Sequence, residues 1–125
     1  MIRGVRGAIT VKEDNETEII EATEILLRRM IDENAIEADT VASVFISVTE
    51  DITAAFPAKA MRLIEGWTFV PVMCMTEIPV QSSLSKCIRV MMHVNTNLSQ
   101  QEVSHIYLGG ATSLRPDLKT EVNSK

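Results

Sequence analysis

Between Pro71 and Val94 the chain reads PVMCMTEIPVQSSLSKCIRVMMHV, and this stretch gathers both cysteines, the carboxylate of Glu77, Arg89 and His93. In its second half, strand alternation places Ile88, Val90, Met92 and Val94 on one face and Cys87, Arg89, Met91 and His93 on the other. Arg89 is therefore mid-strand. A guanidinium does not shed its proton and is costly to bury alone, so it must meet a partner carboxylate, an anion or water. Either Glu77 neutralises it or a ligand does.

Other chemistries lack their parts. Cys74 has no flanking glycine elbow, and His93 and His105 fall in strands without a patterned acid, which argues against a nucleophilic triad. The two histidines lie far apart in sequence with no CxxC or carboxylate-rich framework, so no metal site is expected. Gly4-Val5-Arg6-Gly7 has the wrong spacing for a phosphate loop or dinucleotide fingerprint, and Gly109-Gly110 lacks the rest of either motif. What remains is a set of cations: Arg6, Lys59, Arg62, Arg89 and Arg115. They are either scattered surface charge or one convergent site. If they converge, their excess over Glu77 implies a small substrate with two carboxylates.

Composition narrows the classes further. The 125 residues, 46% of them hydrophobic, suit one domain (1–125) with one core. Five aromatic residues and a net charge of −5 argue against nucleobase stacking, nucleic-acid coating or binding to an anionic membrane. The start of the chain has no apolar signal region and no later run approaches membrane-spanning length, so a soluble, cytoplasmic protein is expected. Cys74 and Cys87 are then reduced thiols.

The elements that position these groups can be read in order. Ile2 to Val11 is a first strand, and Asn15 with Glu18 three residues later opens a helix running from Glu16 to about Asn34. Along it Ile19, Ile20, Thr23, Leu26, Leu27, Met30 and Ile31 recur at helical spacing. Val41 to Val48 is a buried strand. Phe56 to Glu65 is a second helix, with Pro57 in its first turn, and it places Lys59 and Arg62 on one face. Trp67 to Met73 is a strand, Val80 to Ser85 a connector, Ser99 with Glu102 the start of a two-turn helix, and Ser104 to Leu108 a last strand. The fold class is α+β, a mixed β-sheet with helices on one face. Three helices, two of them short, leave the other face bare and predict oligomerisation. Residues 116–125 read as a mobile tail.

Several blocks, in order, carry a family resemblance. They are Ile2-Arg3-Gly4-Val5-Arg6-Gly7-Ala8, Phe56-Pro57-Ala58-Lys59-Ala60, Gly66-Trp67 with Val70-Pro71-Val72, and Cys74-Met75 with Glu77. Lys86 to Met92, Tyr107-Leu108 and Leu114-Arg115-Pro116-Asp117-Leu118 complete the set. Together they resemble the monofunctional chorismate mutases of the trimeric α/β type. The resemblance implies a homotrimer forming a pseudo-α/β barrel, with active sites between subunits. It also implies conversion of chorismate to prephenate without a cofactor, in aromatic amino-acid (Phe/Tyr) biosynthesis. It makes Arg89 the cation at the ether oxygen and Arg6 a ligand for a substrate carboxylate, to which Tyr107 also donates. Glu77, together with Cys74, would meet the ring hydroxyl. Phe56, Ala58, Lys59, Arg62, Val72, Leu114 and Arg115 would line or close the pocket, with Leu114 and Arg115 folding over bound substrate. Met73 departs from the pattern, standing where a small hydroxyl residue is expected, which leaves a backbone contact there. The competing readings are a non-catalytic small-anion binding module and a trimeric imine hydrolase, the latter requiring a positioned water.

Overall fold

The computed structural model describes residues 1–114, so Arg115 and the expected tail, 116–125, lie outside the described residues. The elements are β1 (Ile2–Thr10), α1 (Glu16–Asn34), β2 (Val41–Val48), β3 (Val72–Thr76), β4 (Cys87–Asn95) and β5 (Ile106–Tyr107). Short 3-10 segments occupy Ala38–Thr40, Pro57–Leu63 and Gly109–Ser113. The strands form one mixed sheet in the order β3-β2-β4-β1-β5. Strand β4 runs antiparallel to both β1 and β2, and the edge strands β3 and β5 run parallel to their neighbours.

Helix α1 starts where its cap dictates: the Asn15 side chain accepts from the Glu18 amide at 2.8 Å, and Glu16 and Glu18 sit at the positive end of the helix dipole. Its buried stripe is Ile19, Ala22, Thr23, Leu26, Leu27 and Met30. This stripe joins Val5, Val44, Ile46, Ile88, Val90, Met92 and Val94 in one core. Each large side chain fully buried there is worth about 1.5–3 kcal/mol relative to exposure. Contact between helix and sheet is close enough at Gly7 that a Cβ would meet Met30 Sδ and lie 3.0 Å from Leu26 Cδ1. At the far end, Asn34 Nδ2 donates to the carbonyls of Met30 (3.0 Å) and Ser104 (2.8 Å), and its Oδ1 accepts from the Ser104 amide at 2.8 Å.

Four local expectations are corrected. The second helix is a 3-10 segment, Pro57–Leu63, held by i to i+3 bonds such as Lys59 N–H to the Phe56 carbonyl at 3.1 Å. Three residues per turn keeps Pro57 and Ala60 in the core and stacks Lys59 and Arg62 on one side. The strand expected at Trp67 to Met73 lies instead at Val72–Thr76. Residues 67–70 form turns, with the Trp67 N–H donating to the Ile64 carbonyl and the Val70 N–H to the Trp67 carbonyl, both at 3.2 Å. Trp67 is thereby buried in the core rather than in a strand. The Ser99 and Glu102 capping box forms in both directions, at 2.8 and 3.3 Å, yet no helix follows, because the Asn34 clamp draws Ser104 into an extended course. That clamp also shortens the last strand to Ile106–Tyr107, and a 3-10 turn beginning at Gly109 (φ 60°) follows it.

The loop leading to Phe56 is held by one carboxylate. Asp14 accepts from the Thr53 hydroxyl at 2.7 Å and from the amides of Thr53 and Ala54 at 3.0 and 3.1 Å. The Thr53 hydroxyl and amide bonds hold the Asp14 pKa below its ordinary 3.8 against a smaller opposing effect of burial. A carboxyl whose folded pKa is depressed stabilises the fold above its ordinary value, and that contribution fades as pH falls through the folded value. Asp14→Asn should therefore lower the urea midpoint at pH 6, with the gap to the parent closing as pH falls from about 6 to about 2. Urea titrations across that range at fixed protein concentration check this, and a gap independent of pH would contradict it.

Candidate active site

Register across the sheet sets the geometry of the site. One row runs Met75, Ser47, Arg89, Ala8, Tyr107 through all five strands, each residue paired with the next. The adjacent outward row runs Met73, Phe45, Met91, Arg6. Paired residues share a face, so Arg89, Tyr107 and Arg6 all project from the side of the sheet opposite α1. Small neighbours, Ser47 and Ala8, flank Arg89 and leave its guanidinium room.

Glu77 completes this cleft. Its amide donates to the Val48 carbonyl at 2.7 Å, extending the β2/β3 pairing by one residue and turning the carboxylate back over the sheet. There Glu77 Oε2 accepts from Arg89 Nη1 in an ion pair. The Arg89 side chain keeps 42% of its exposure, so the pair contributes at most about 1 kcal/mol to stability; its main effect is to fix direction. The cleft measures about 530 Å³ and is lined by Arg6, Glu77, Arg89 and Tyr107 together with Phe45, Ser47 and Met75. Two guanidiniums and a phenol face one carboxylate, which makes it a receptor for an anion.

Most of the other residues expected at the site lie elsewhere. Phe56, Ala58, Lys59, Arg62, Val72 and Cys74 line a second cleft of about 440 Å³ between the 3-10 segment and β3. Lys59 Nζ is held there by Glu16 Oε2 at 2.8 Å. Burial pushes the Cys74 thiol up and brings Cys87 to about 11, so both remain protonated, and neither forms a disulfide. Strand alternation separates Cys74 from Glu77: Met73 and Met75 face the first cleft's side of β3, and Cys74 and Val72 face the other. Met73 is 61% exposed beside Phe45. Leu114 packs with Ala8, Cys87 and Tyr107, and lines a hollow of about 230 Å³ bordered by Glu77 and Arg89.

The sequence reading therefore named residues of two clefts as one site. Phe45, Ser47 and Met75 were not expected there but also line the first cleft, and the pairing of β2 with β4 turns Phe45 and Ser47 to the same face as Arg89. Among the described residues no cluster of His, Cys, Asp and Glu could hold a metal ion, and no helix is long and apolar enough to cross a membrane.

The comparisons with known proteins agree on one assignment. The model of the family "Chorismate mutase type I" matches residues 2–118. The chain is 47% identical over 125 residues to the chorismate mutase AroH of Bacillus subtilis (strain 168), covering 100% of this chain and 98% of that one. It is 47% identical over 121 residues to the chorismate mutase AroH of Thermus thermophilus, covering 96% and 98%. Among solved structures, a chorismate mutase from Clostridium thermocellum superposes with a TM-score of 0.86 at 47% identity, covering 89% of this chain and 98% of that one. A match spanning nearly every element, including the strands that carry Arg6, Arg89 and Tyr107 and the residue that follows β3, Glu77, places the chain in the chorismate mutase type I family.

Proposed function

We propose that this protein catalyses the rearrangement of chorismate to prephenate, in the cytoplasm, as a homotrimer whose sites are assembled between neighbouring subunits. Family membership supports the activity. The observation that carries the mechanism is a cleft in which Arg89 and Arg6 face a single carboxylate, Glu77.

The reaction breaks the ether carbon-oxygen bond and forms a carbon-carbon bond between the enolpyruvyl methylene and the ring. Bond breaking leads, so negative charge grows on the ether oxygen and positive charge on the ring. Arg89 donates to that oxygen, and Glu77 accepts from the ring hydroxyl beside the developing cation. Arg6 and Tyr107 hold a substrate carboxylate, so that the reactive compact conformer is bound and orientation is paid for before the chemical step. No proton changes hands, so the cleft needs no group poised as general acid or base. Cys74, protonated, donates weakly from the second cleft.

The division of the site between two clefts supports assembly across subunits. Cys74, Phe56, Ala58, Lys59, Arg62 and Val72 meet Arg89 and Glu77 only if the second cleft of one copy faces the first cleft of another. The first cleft opens on the sheet face that α1 does not cover, where Phe45, Met73 and Met75 stand exposed at 38%, 61% and 42%. A second and third copy would bury that face. Met73 then offers substrate its backbone while its side chain lies in the interface.

Incubating purified protein with chorismate should cause loss of its ultraviolet absorbance far above the uncatalysed rate; a folded protein that binds chorismate without consuming it would leave only the anion-binding reading. Sedimentation equilibrium at assay concentration should give three times the chain mass of 13.9 kDa, whereas an active monomer would overturn the shared site.

A further inference from the structure

The edge of β1 beside Arg6 is completed by a side chain rather than by a strand. Strand β5 pairs in parallel with β1 through Gly7 with Ile106 and Ala8 with Tyr107, and the Leu108 N–H donates to the Ala8 carbonyl at 2.9 Å. Parallel ladders advance in steps of two residues, so this register, continued, would send the Arg6 N–H to the Ser104 carbonyl. Asn34 engages Ser104 instead, donating from Nδ2 to its carbonyl and accepting its N–H at Oδ1, both at 2.8 Å. The Arg6 N–H donates to Nδ1 of His105 at 3.0 Å.

We propose that His105 is a positioning residue for the reaction: its neutral ring, protonated at Nε2, holds the Arg6 backbone so that the Arg6 side chain and Tyr107 keep the spacing a substrate carboxylate requires. The inference rests on the reading above in which Arg6 and Tyr107 bind that carboxylate. An N–H donated to Nδ1 leaves that nitrogen without a proton, so the tautomer follows from the bond itself. The anchor is Asn34, which is buried at the end of α1 and fixes the residue before His105, so ring placement is inherited from the core. Tyr107 lies two residues beyond His105, on β5, and lines the same cleft as Arg6. One short run, residues 104–107, thus links the helix layer to both carboxylate ligands.

Arg6 contacts a carboxylate that is present in both ground state and transition state. Loosening Arg6 should therefore raise KM and leave kcat nearly unchanged. His105→Leu removes the acceptor, and His105→Asn keeps an acceptor oxygen close to the place of Nδ1. In His105→Leu, KM for chorismate should rise about five- to tenfold, the scale of one neutral hydrogen bond, with kcat within about twofold. His105→Asn should restore KM to within about twofold of the parent, as expected if the bond and not the ring matters. Nitrogen-15 spectra of histidine-labelled parent protein, with the His105 signals assigned by their loss in His105→Asn, should show a bare Nδ1 and a protonated Nε2 whether or not His105→Leu folds. A protonated Nδ1, a His105→Leu enzyme with the parent's KM, or equal defects in both variants would each overturn the positioning role in an active parent. A folded parent that leaves chorismate unconsumed would instead overturn the reading of the site on which this inference rests.

Discussion

Arg89 stands in the interior of β4, so a permanent positive charge has to be accommodated within the sheet. Arg89 cannot be neutralised by losing a proton, so the strand that carries it needs one face made for charge and the other for the core. Alternation along β4 provides this: Ile88, Val90, Met92 and Val94 are buried in the core shared with α1, while Arg89 points the opposite way between Ser47 and Ala8. Among the described residues Glu77 alone answers the charge within the cleft, and with Arg6 nearby the balance of those residues stays positive. A single partner orients Arg89 without saturating its five donors, which leaves donors for an anion.

The helix layer serves the charged face indirectly. Close approach of α1 at Gly7 seats β1, and β1 carries Arg6 and Ala8 into the outward rows. Asn34 closes α1 and fixes Ser104, so the same helix sets the course of β5 and with it Tyr107. Asp14 ties down the loop before Phe56, and through Phe56 it bears on the second cleft. Arg6, Arg89 and Tyr107 on three strands, and Glu77 just past the end of a fourth, are in this way held by a core that their charges do not enter.

Much of this was legible in the sequence because it is periodic. The apolar stripe of α1, its Asn15 cap and the alternation of β4 are local patterns, and each survives in the structure with nearly the expected bounds. Errors fell where a distant residue overrode a local signal. The Ser99 capping box forms, but a side chain 70 positions away from Ser104 prevents the helix it announces. Trp67 has high strand propensity and is instead folded into the core by two successive turns. Because the strand was expected to end at Met73 and runs instead through Val72–Thr76, the alternation that turns Cys74 and Glu77, three residues apart, in opposite directions was not legible before the strand was placed.

In the proposed mechanism Arg89 acts on charge that develops during the reaction rather than on the bound substrate or on the fold. The direct measurement is kcat at saturating chorismate for Arg89→Gln, with folding and assembly state verified by circular dichroism and sedimentation. Loss of one preorganised donor of this kind costs roughly 10² to 10³ in rate, and loss of the full charge should reach or exceed that range. Arg89→Lys, which keeps charge but loses the planar fork, should fall between the two enzymes. If Arg89→Gln folds and assembles as the parent does and keeps its kcat within a few-fold, Arg89 serves the structure alone and has no part in the chemical step.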